Sequence, residues 1–344
     1  METNERSRRV LAALVREYIA SGEPVPSSLL VTAAGLGVSS ATVRNILSRL
    51  EDEGYVQQPH TSAGRIPTDR GYRFYVDLLL ESKRSTRTAS AVEARLRRDG
   101  TGSLIDFLLP QVTHVLSQAS RSVGFAIGPA HESAVFERVE FIPLSALRVL
   151  VVIIARGGHV IQKVIDVTES LDADDLRQAA NYLNAEFSGL PLNRAREAVF
   201  DRMNEERLLY DALMARAMRL ATSTFENLPE EQMIYIEGAS ALVGESHGLT
   251  LGTLQALLQM IEEKQRLLRL LNEYIDGPGL TVVIGAEHPD PNLHSFSLIA
   301  STYEDGSGTG TVGVIGPTRM RYSRAINVVD GAAQAVSRVL RDPN

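Results

Sequence analysis

Few residues of this chain stand at spacings that chemistry requires, and most such candidates have a plainer reading. The string Gly308-Thr-Gly310-Thr-Val-Gly313 spells GxGxxG. That pattern cradles a pyrophosphate only where it follows a strand and opens a helix. Here the residues that follow, Val314 and Ile315, are strand-like and lead into Gly316-Pro317, so a glycine-rich hairpin is expected. The seven histidines include no pair at the helical spacing of metal ligands. The absence of cysteine excludes disulfides, zinc–thiolate sites and thiol nucleophiles. Asp172, Asp174 and Asp175 hint at a cation site, but acids gather at a helix start for dipole reasons. Ser246-His247 lacks the frame of a nucleophile elbow. The expectation is a protein without catalytic, cofactor or metal residues, and not an enzyme.

A different constellation lies at 39–69, SSATVRNILSRLEDEGYVQQPHTSAGRIPTD. Val43, Ile46, Leu47 and Leu50 recur at helical spacing and give one apolar face. Ser39 is suited to cap the start of that helix, and Gly54 to end it. The opposite face carries Ala41, Asn45 and Ser48, flanked by Thr42, Arg44 and Arg49. A face that is small and polar near its start suits a helix laid in a major groove. A strand at 55–57, a loop at 59–63 and a return at 64–66 predict a wing that carries short donors and a cation to phosphates. The candidate DNA-binding residues are Ser40, Thr42, Arg44, Asn45, Ser48 and Arg49 on the helix, with His60, Thr61, Ser62 and Arg65 on the wing.

The elements that must position these residues are legible on both sides. A short helix at 26–34 begins at Pro26 and ends at Gly35, and the turn Gly35-Leu36-Gly37-Val38 completes a helix-turn-helix layout. A first helix at 3–21 presents Val10, Leu11, Leu14, Val15, Tyr18 and Ile19. Thr68-Asp69 caps a further helix at 70–80, whose stripe Tyr72, Tyr75, Val76 and Leu79 is expected to pack against the winged helix rather than stack on bases. The whole chain of 344 residues is net −7, yet residues 1–80 hold nine charges of each sign and are neutral. DNA affinity must then come from the local placement of Arg44, Arg49 and Arg65, with Arg70 and Arg73 as further candidates, and from a second copy. The polar run 82–91 is expected as an exposed hinge.

Beyond it, a helix at 104–120, strands at 123–127, 139–142, 147–155 and 160–167, and a helix at 172–187 precede a long amphipathic helix at 194–225. Strands at 280–285, 297–302 and 311–315 and a helix at 322–341 follow. Sheet segments on either side of a mostly helical middle predict a mixed α and β chain: a winged helix-turn-helix, then one α+β domain with an insertion. The longest apolar run, 149–155, is too short to span a bilayer. The apolar stretch after Arg6, Arg8 and Arg9 is broken too early, at Arg16 and Glu17, for a secretory signal. A cytoplasmic protein associated with the nucleoid is expected.

Three stretches carry a specific resemblance. QPHTSAGRIPTDRGYRFYVD at 58–77, EYIASGEPVPSSLL at 17–30 with SSATVRNILSRLEDEGYVQQPHTSAGR at 39–65, and GVIGPTRMRYSRAI at 313–326 resemble segments of the HrcA family of bacterial heat-inducible transcription repressors, with a departure at Arg321. The resemblance spans the chain. It implies a winged helix (1–80), a linker (81–101) and a GAF-like domain in two parts (102–187 and 253–344), separated by an inserted dimerisation domain (188–252). It also implies a homodimer on an inverted-repeat operator of chaperone genes, modulated by the chaperonin GroEL. A small-molecule ligand of the GAF-like domain is the alternative means of control.

Overall fold

The computed structural model describes residues 5–35, 37, 39–60, 63–82, 104–129, 134–156, 159–203, 212–225, 233–242, 251–274, 277–305 and 308–341. Thr61, Ser62, Ser246, His247 and, beyond Ser82, the expected hinge lie outside them.

The N-terminal unit comprises α1 (Glu5–Ser21), α2 (Ser27–Ala33), α3 (Ser40–Asp52), β1 (Val56–Gln57), β2 (Ile66–Pro67) and α4 (Asp69–Ser82). Its helices meet through the periodic apolar residues: Val10, Leu11, Leu14 and Val15 of α1, Leu30 of α2, and Val43, Leu47 and Leu50 of α3 are all buried. β1 and β2 pair antiparallel, Val56 opposite Pro67 and Gln57 opposite Ile66. A bridge between Val25 and Arg65 ties this ribbon to the segment before α2. Gly64 makes that approach possible, since a Cβ there would lie 2.4 Å from the Val25 carbonyl.

The chain continues through α5 (Leu104–Ser120), β3 (Val123–Ile127), β4 (Phe136–Ser145), β5 (Arg148–Ala155), β6 (His159–Asp166), α6 (Ala173–Phe187), α7 (Leu192–Met203), α8 (Ala212–Phe225) and β7 (Ile234–Glu237). It closes with α9 (Leu251–Glu262), α10 (Lys264–Tyr274), β8 (Leu280–Ile284), β9 (Phe296–Glu304), β10 (Thr309–Pro317) and α11 (Tyr322–Arg341). Among the described residues these strands form two further sheets: a five-stranded antiparallel one in the order β7-β3-β10-β9-β8, and a three-stranded one in the order β4-β5-β6. Helices α5 and α11 cover one face of the larger sheet, in a core continuous with the N-terminal unit. Residues of α9 and α10, among them Leu257, Met260, Leu267 and Leu271, share the core of the other face with Phe125, Phe296 and Leu298.

The three-stranded sheet has its own core. Val149, Val151 and Ile153 pack beneath Leu176, Leu183 and Phe187 of α6 and beside Val199 of α7 and Leu220 of α8. This core gathers residues from Ala134 to Ala221, so the boundary expected at 187/188 runs through it. β7 lies within the expected insertion 188–252 yet pairs with β3 of the larger sheet, Phe125 opposite Ile236. Nor do the described residues of 194–225 form one helix: α7 and α8 pack against each other.

Two expectations about chemistry meet their structural reading here. Gly310 and Gly313 lie inside β10 rather than ahead of a helix. A Cβ on Gly310 would fall 2.3 Å from the Tyr303 hydroxyl, and one on Gly313 2.4 Å from the Phe125 ring, so both glycines serve packing. Asp172 caps α6, accepting from the Asp175 N–H at 2.7 Å.

Candidate nucleic-acid interface

The apolar side of α3 fixes which residues its other side offers. With Val43, Leu47 and Leu50 buried against α1 and α2, the exposed positions are Ala41, Arg44, Asn45, Ser48 and Arg49. Ser40, Thr42 and Ile46 are half-buried at the margin. Ser39 caps the helix, its hydroxyl accepting from the Thr42 N–H at 3.2 Å. Gly54 follows the helix at a φ of +77°, a left-handed turn that glycine adopts without steric cost.

The sequence did not single out Ser27, the first residue of α2. Its hydroxyl lies 3.4 Å from that of Ser40 and accepts a long 3.4 Å bond from Nε of Arg44. The only hint was a pair of serines directly after Pro26, where a helix start exposes hydroxyls.

The ribbon is shorter than a full wing and internally braced. Gln58 Nε2 donates to the Ala63 carbonyl at 3.0 Å, and the Ala63 N–H to the His60 carbonyl at 2.8 Å. His60 is exposed beside it. Arg65 is placed otherwise than a free cation on the backbone of DNA: its side chain is only 20% exposed and Nη2 pairs with Glu51 of α3 at 2.9 Å. Its Nε is buried without a hydrogen-bond partner. Arg70 and Arg73 also have partners within the chain, Arg70 from an exposed position. Arg70 stands 4.6 Å over the Tyr55 ring and donates to the Glu53 carbonyl at 2.7 Å. Of the arginines named from sequence, Arg44 and Arg49 are therefore the ones that α3 presents to solvent.

Arg73 fastens the N-terminal unit to the larger sheet. Its Nε donates to Glu287 Oε1 at 2.6 Å and its Nη2 to the Val282 carbonyl at 2.6 Å, with a second contact to Glu287 Oε2. The hydrogen bond to Glu287 raises the already high pKa of the guanidinium. Asp69 accepts from the Ala286 N–H at 2.8 Å. A Cβ on Gly285, whose φ is +51°, would lie 2.3 Å from that carboxylate. Tyr72 meets Tyr322 of α11 at 5.7 Å between ring centres, and burial pushes both phenols far above their usual range. The aromatic stripe of α4 thus packs partly across the joint, not within the N-terminal unit alone.

Among the described residues no group of side chains is arranged to hold a metal ion, and no helix is long and apolar enough to cross a membrane. A family model described as the HrcA protein C terminal domain matches residues 106–326. The heat-inducible transcription repressor HrcA of Geobacter sulfurreducens is 36% identical over 340 residues, 98% of each chain. That of Syntrophobacter fumaroxidans is 35% identical over 350 residues, 99% of each chain. A crystal structure of a hypothetical protein superimposes with a TM-score of 0.65 at 26% identity, covering 98% of both chains. A model match over more than half the chain, with relatives matched end to end, places this protein in the HrcA family, whose curated members are named heat-inducible transcription repressors.

Proposed function

We propose that this protein represses heat-shock genes by placing α3 of a winged helix-turn-helix in the major groove of an inverted-repeat operator, as a homodimer. The observation that carries the reading is the exposed face of α3, which offers Arg44, Asn45, Ser48 and Arg49 together on one side of a helix anchored by its other side. Ser40 and Thr42 stand at the end of α3 that enters first, and His60, Thr61 and Ser62 take the role of contacting the flanking DNA backbone. Arg65 reaches a phosphate only by leaving Glu51, which makes its contribution smaller than that of Arg44.

The dimer reading draws on the three-stranded sheet. Its outward positions include Ile142, Leu144, Val160 and Val164, each at least 41% exposed, beside half-buried Leu150, Val152 and Ile154. An apolar sheet face of this kind is a liability unless a partner covers it. In this reading the self-associating insertion is the unit of the three-stranded sheet, residues 134–225, set into a GAF-like domain formed by the five-stranded one. Two N-terminal units held at a fixed separation combine two weak half-site contacts. The reading also includes modulation by the chaperonin GroEL and a nucleoid-associated place in the cytoplasm, for which the support is the family resemblance alone.

Operator titration tests the reading. Arg44→Ala should lose about 1–3 kcal/mol of operator affinity with folding intact, since the side chain is exposed. Arg65→Ala should weaken all DNA sequences alike and make the salt slope slightly shallower. Unchanged affinity in folded Arg44→Ala protein removes α3 as the reading helix. Adding GroEL to heat-treated protein should restore operator binding, and no restoration removes the chaperonin from the proposal.

A further inference from the structure

We propose that a cleft at the joint between the N-terminal unit and the five-stranded unit binds the phosphoryl or pyrophosphoryl group of a small ligand. The cleft has a volume of about 150 Å³ and is walled by the end of α1, the end of α5 and the turn that leads into α11. Four arginines line it, Arg121, Arg319, Arg321 and Arg324, together with Ser120 and Ser122, and no lining residue is acidic.

Three features make this more than a solvated basic patch. First, the arginines come from two separate segments that converge on one concavity, and the start of the twenty-residue helix α11 adds its positive dipole end with no acid in its first turn. Second, Ser122 is 1% exposed and lines the cleft, its hydroxyl 3.5 Å from the Ser120 carbonyl. A hydroxyl can rotate about its C–O bond, so one at the wall of a cationic cleft can turn to donate to an oxyanion. Third, the arginine positions are built. Arg121 has a φ of 54°, the one positive value at a non-glycine among the described residues. Arg319 lies over Gly22, where a Cβ would meet its Nη1 at 1.6 Å, so the glycine at the end of α1 leaves room for this guanidinium.

The chemistry of the lining selects the ligand. Planar guanidinium groups match phosphate oxygens two at a time, and serine hydroxyls complete the donor set. The volume is small against ordinary ligand pockets of roughly 300–1,000 Å³, so a phosphoryl or pyrophosphoryl group enters and the remainder of the ligand stays outside. Because Ile19 and Ala20 of α1 form one wall and Arg319, Arg321 and Arg324 another, the occupant touches both units at once. Its binding therefore stabilises their observed relative placement. This inference is independent of the operator reading.

The probe is inorganic pyrophosphate, titrated calorimetrically into the full chain in chloride buffer. Saturable one-to-one binding is expected, with a rise in the unfolding midpoint. Arg321→Ser with Arg324→Ser should weaken that binding tenfold or more while circular dichroism stays unchanged, since both side chains are exposed. A control removes the same charge elsewhere: Arg177→Ser with Arg194→Ser, two exposed arginines paired with Asp174 and Glu197, should bind as the wild type does. Equal weakening in both double variants would reduce the effect to net charge and overturn the site. Absence of saturable binding by the wild type overturns it too. If, in that case, the Arg321/Arg324 variant also loses affinity for DNA, the arginines serve the DNA backbone instead.

Discussion

The two larger sheets of this chain are built from similar apolar runs and end in opposite situations. In the five-stranded sheet, β10 is buried at every position after its first and β9 almost throughout, because helices lie on both faces. In the three-stranded sheet, β5 alternates: Val149, Val151, Ile153 and Ala155 are buried, while Leu150, Val152 and Ile154 are only half covered. All the helices that share its core lie on one side. A run of branched aliphatic residues therefore says that both faces avoid water, but not that the same chain covers both. Where its own helices run out, the second cover has to come from another molecule, and in our proposal that is a second copy.

The comparison breaks first at single side chains. Ile299 of β9 is fully buried, and Ile299→Ala should cost about 2–5 kcal/mol of unfolding free energy. Leu150→Ala, on the outer face, should cost less than about 0.5 kcal/mol at protein concentrations low enough to dissociate any dimer. Urea unfolding followed at two concentrations decides. Equal costs for the two changes would mean that the outer face is already packed within one chain.

The next test sharpens the role of the outer face. Leu150 and Val164 are direct partners across β5 and β6. Glutamate at both puts like charges opposite each other on an apolar surface, while the buried side of each strand is untouched. We expect a folded monomer by sedimentation and operator affinity at least tenfold weaker, about 1.4 kcal/mol or more. A dimer that survives this double change assembles through some other surface.

How far the sequence revealed these arrangements depended on distance along the chain. The helices at 104–120 and 322–341 and the strand at 123–127 were read to the residue, because a strong local period and clear end signals define them. The apolar face of α3 was equally legible in Val43, Leu47 and Leu50. What failed was pairing. The four residues of β7 are too short to signal a strand, and its partner β3 lies more than a hundred positions earlier, so its place in the larger sheet was not legible. That Arg65 and Arg73 already hold carboxylates was not legible either, because nothing local revealed Glu51 and Glu287 as their partners, the latter 214 residues away. Charge counting sees cations, and only the fold shows which are already neutralised.

Arg73 bears on the comparison because the five-stranded unit is joined to the N-terminal unit through it. Arg73→Ala would leave the Val282 carbonyl and one side of Glu287 without their donors, at a cost of about 1–3 kcal/mol. Glu287 would still hold the Ile284 N–H, so the loop itself should persist. Arg73→Lys should rescue little, since a single ammonium cannot reproduce the forked contact. Thermal unfolding of the three proteins reads this out, and full rescue by lysine would reduce the joint to simple charge attraction.

The smallest expected effect distinguishes the two sheets by pH. His288 follows β8 of the five-stranded sheet and is 4% exposed, with Nδ1 3.0 Å from the Tyr274 hydroxyl and Nε2 buried without a partner. Burial lowers its pKa to about 4, against the backbone contact with Phe296 and the charge of Glu287, which act to raise it. An unfolded chain binds the proton near pH 6.5, and the folded chain does not until near pH 4. The histidine's contribution is thus complete above pH 6.5 and is lost as pH falls from there toward 4. Relaxation of the site reduces the ideal value, leaving about 1–2 kcal/mol over that window. Glu287 and Asp290 stand nearby in the wild type and in His288→Phe alike, so the difference between the two proteins isolates the imidazole. Phenylalanine keeps a ring against Tyr274, now 5.2 Å away edge-on, and loses one hydrogen bond at every pH. The variant should be less stable at pH 7.5 and lose less on acidification, so the two stability curves converge as pH approaches 4.5. Parallel curves would mean that His288 takes up its proton in the folded protein and that this face of the larger sheet is wetter than its packing indicates.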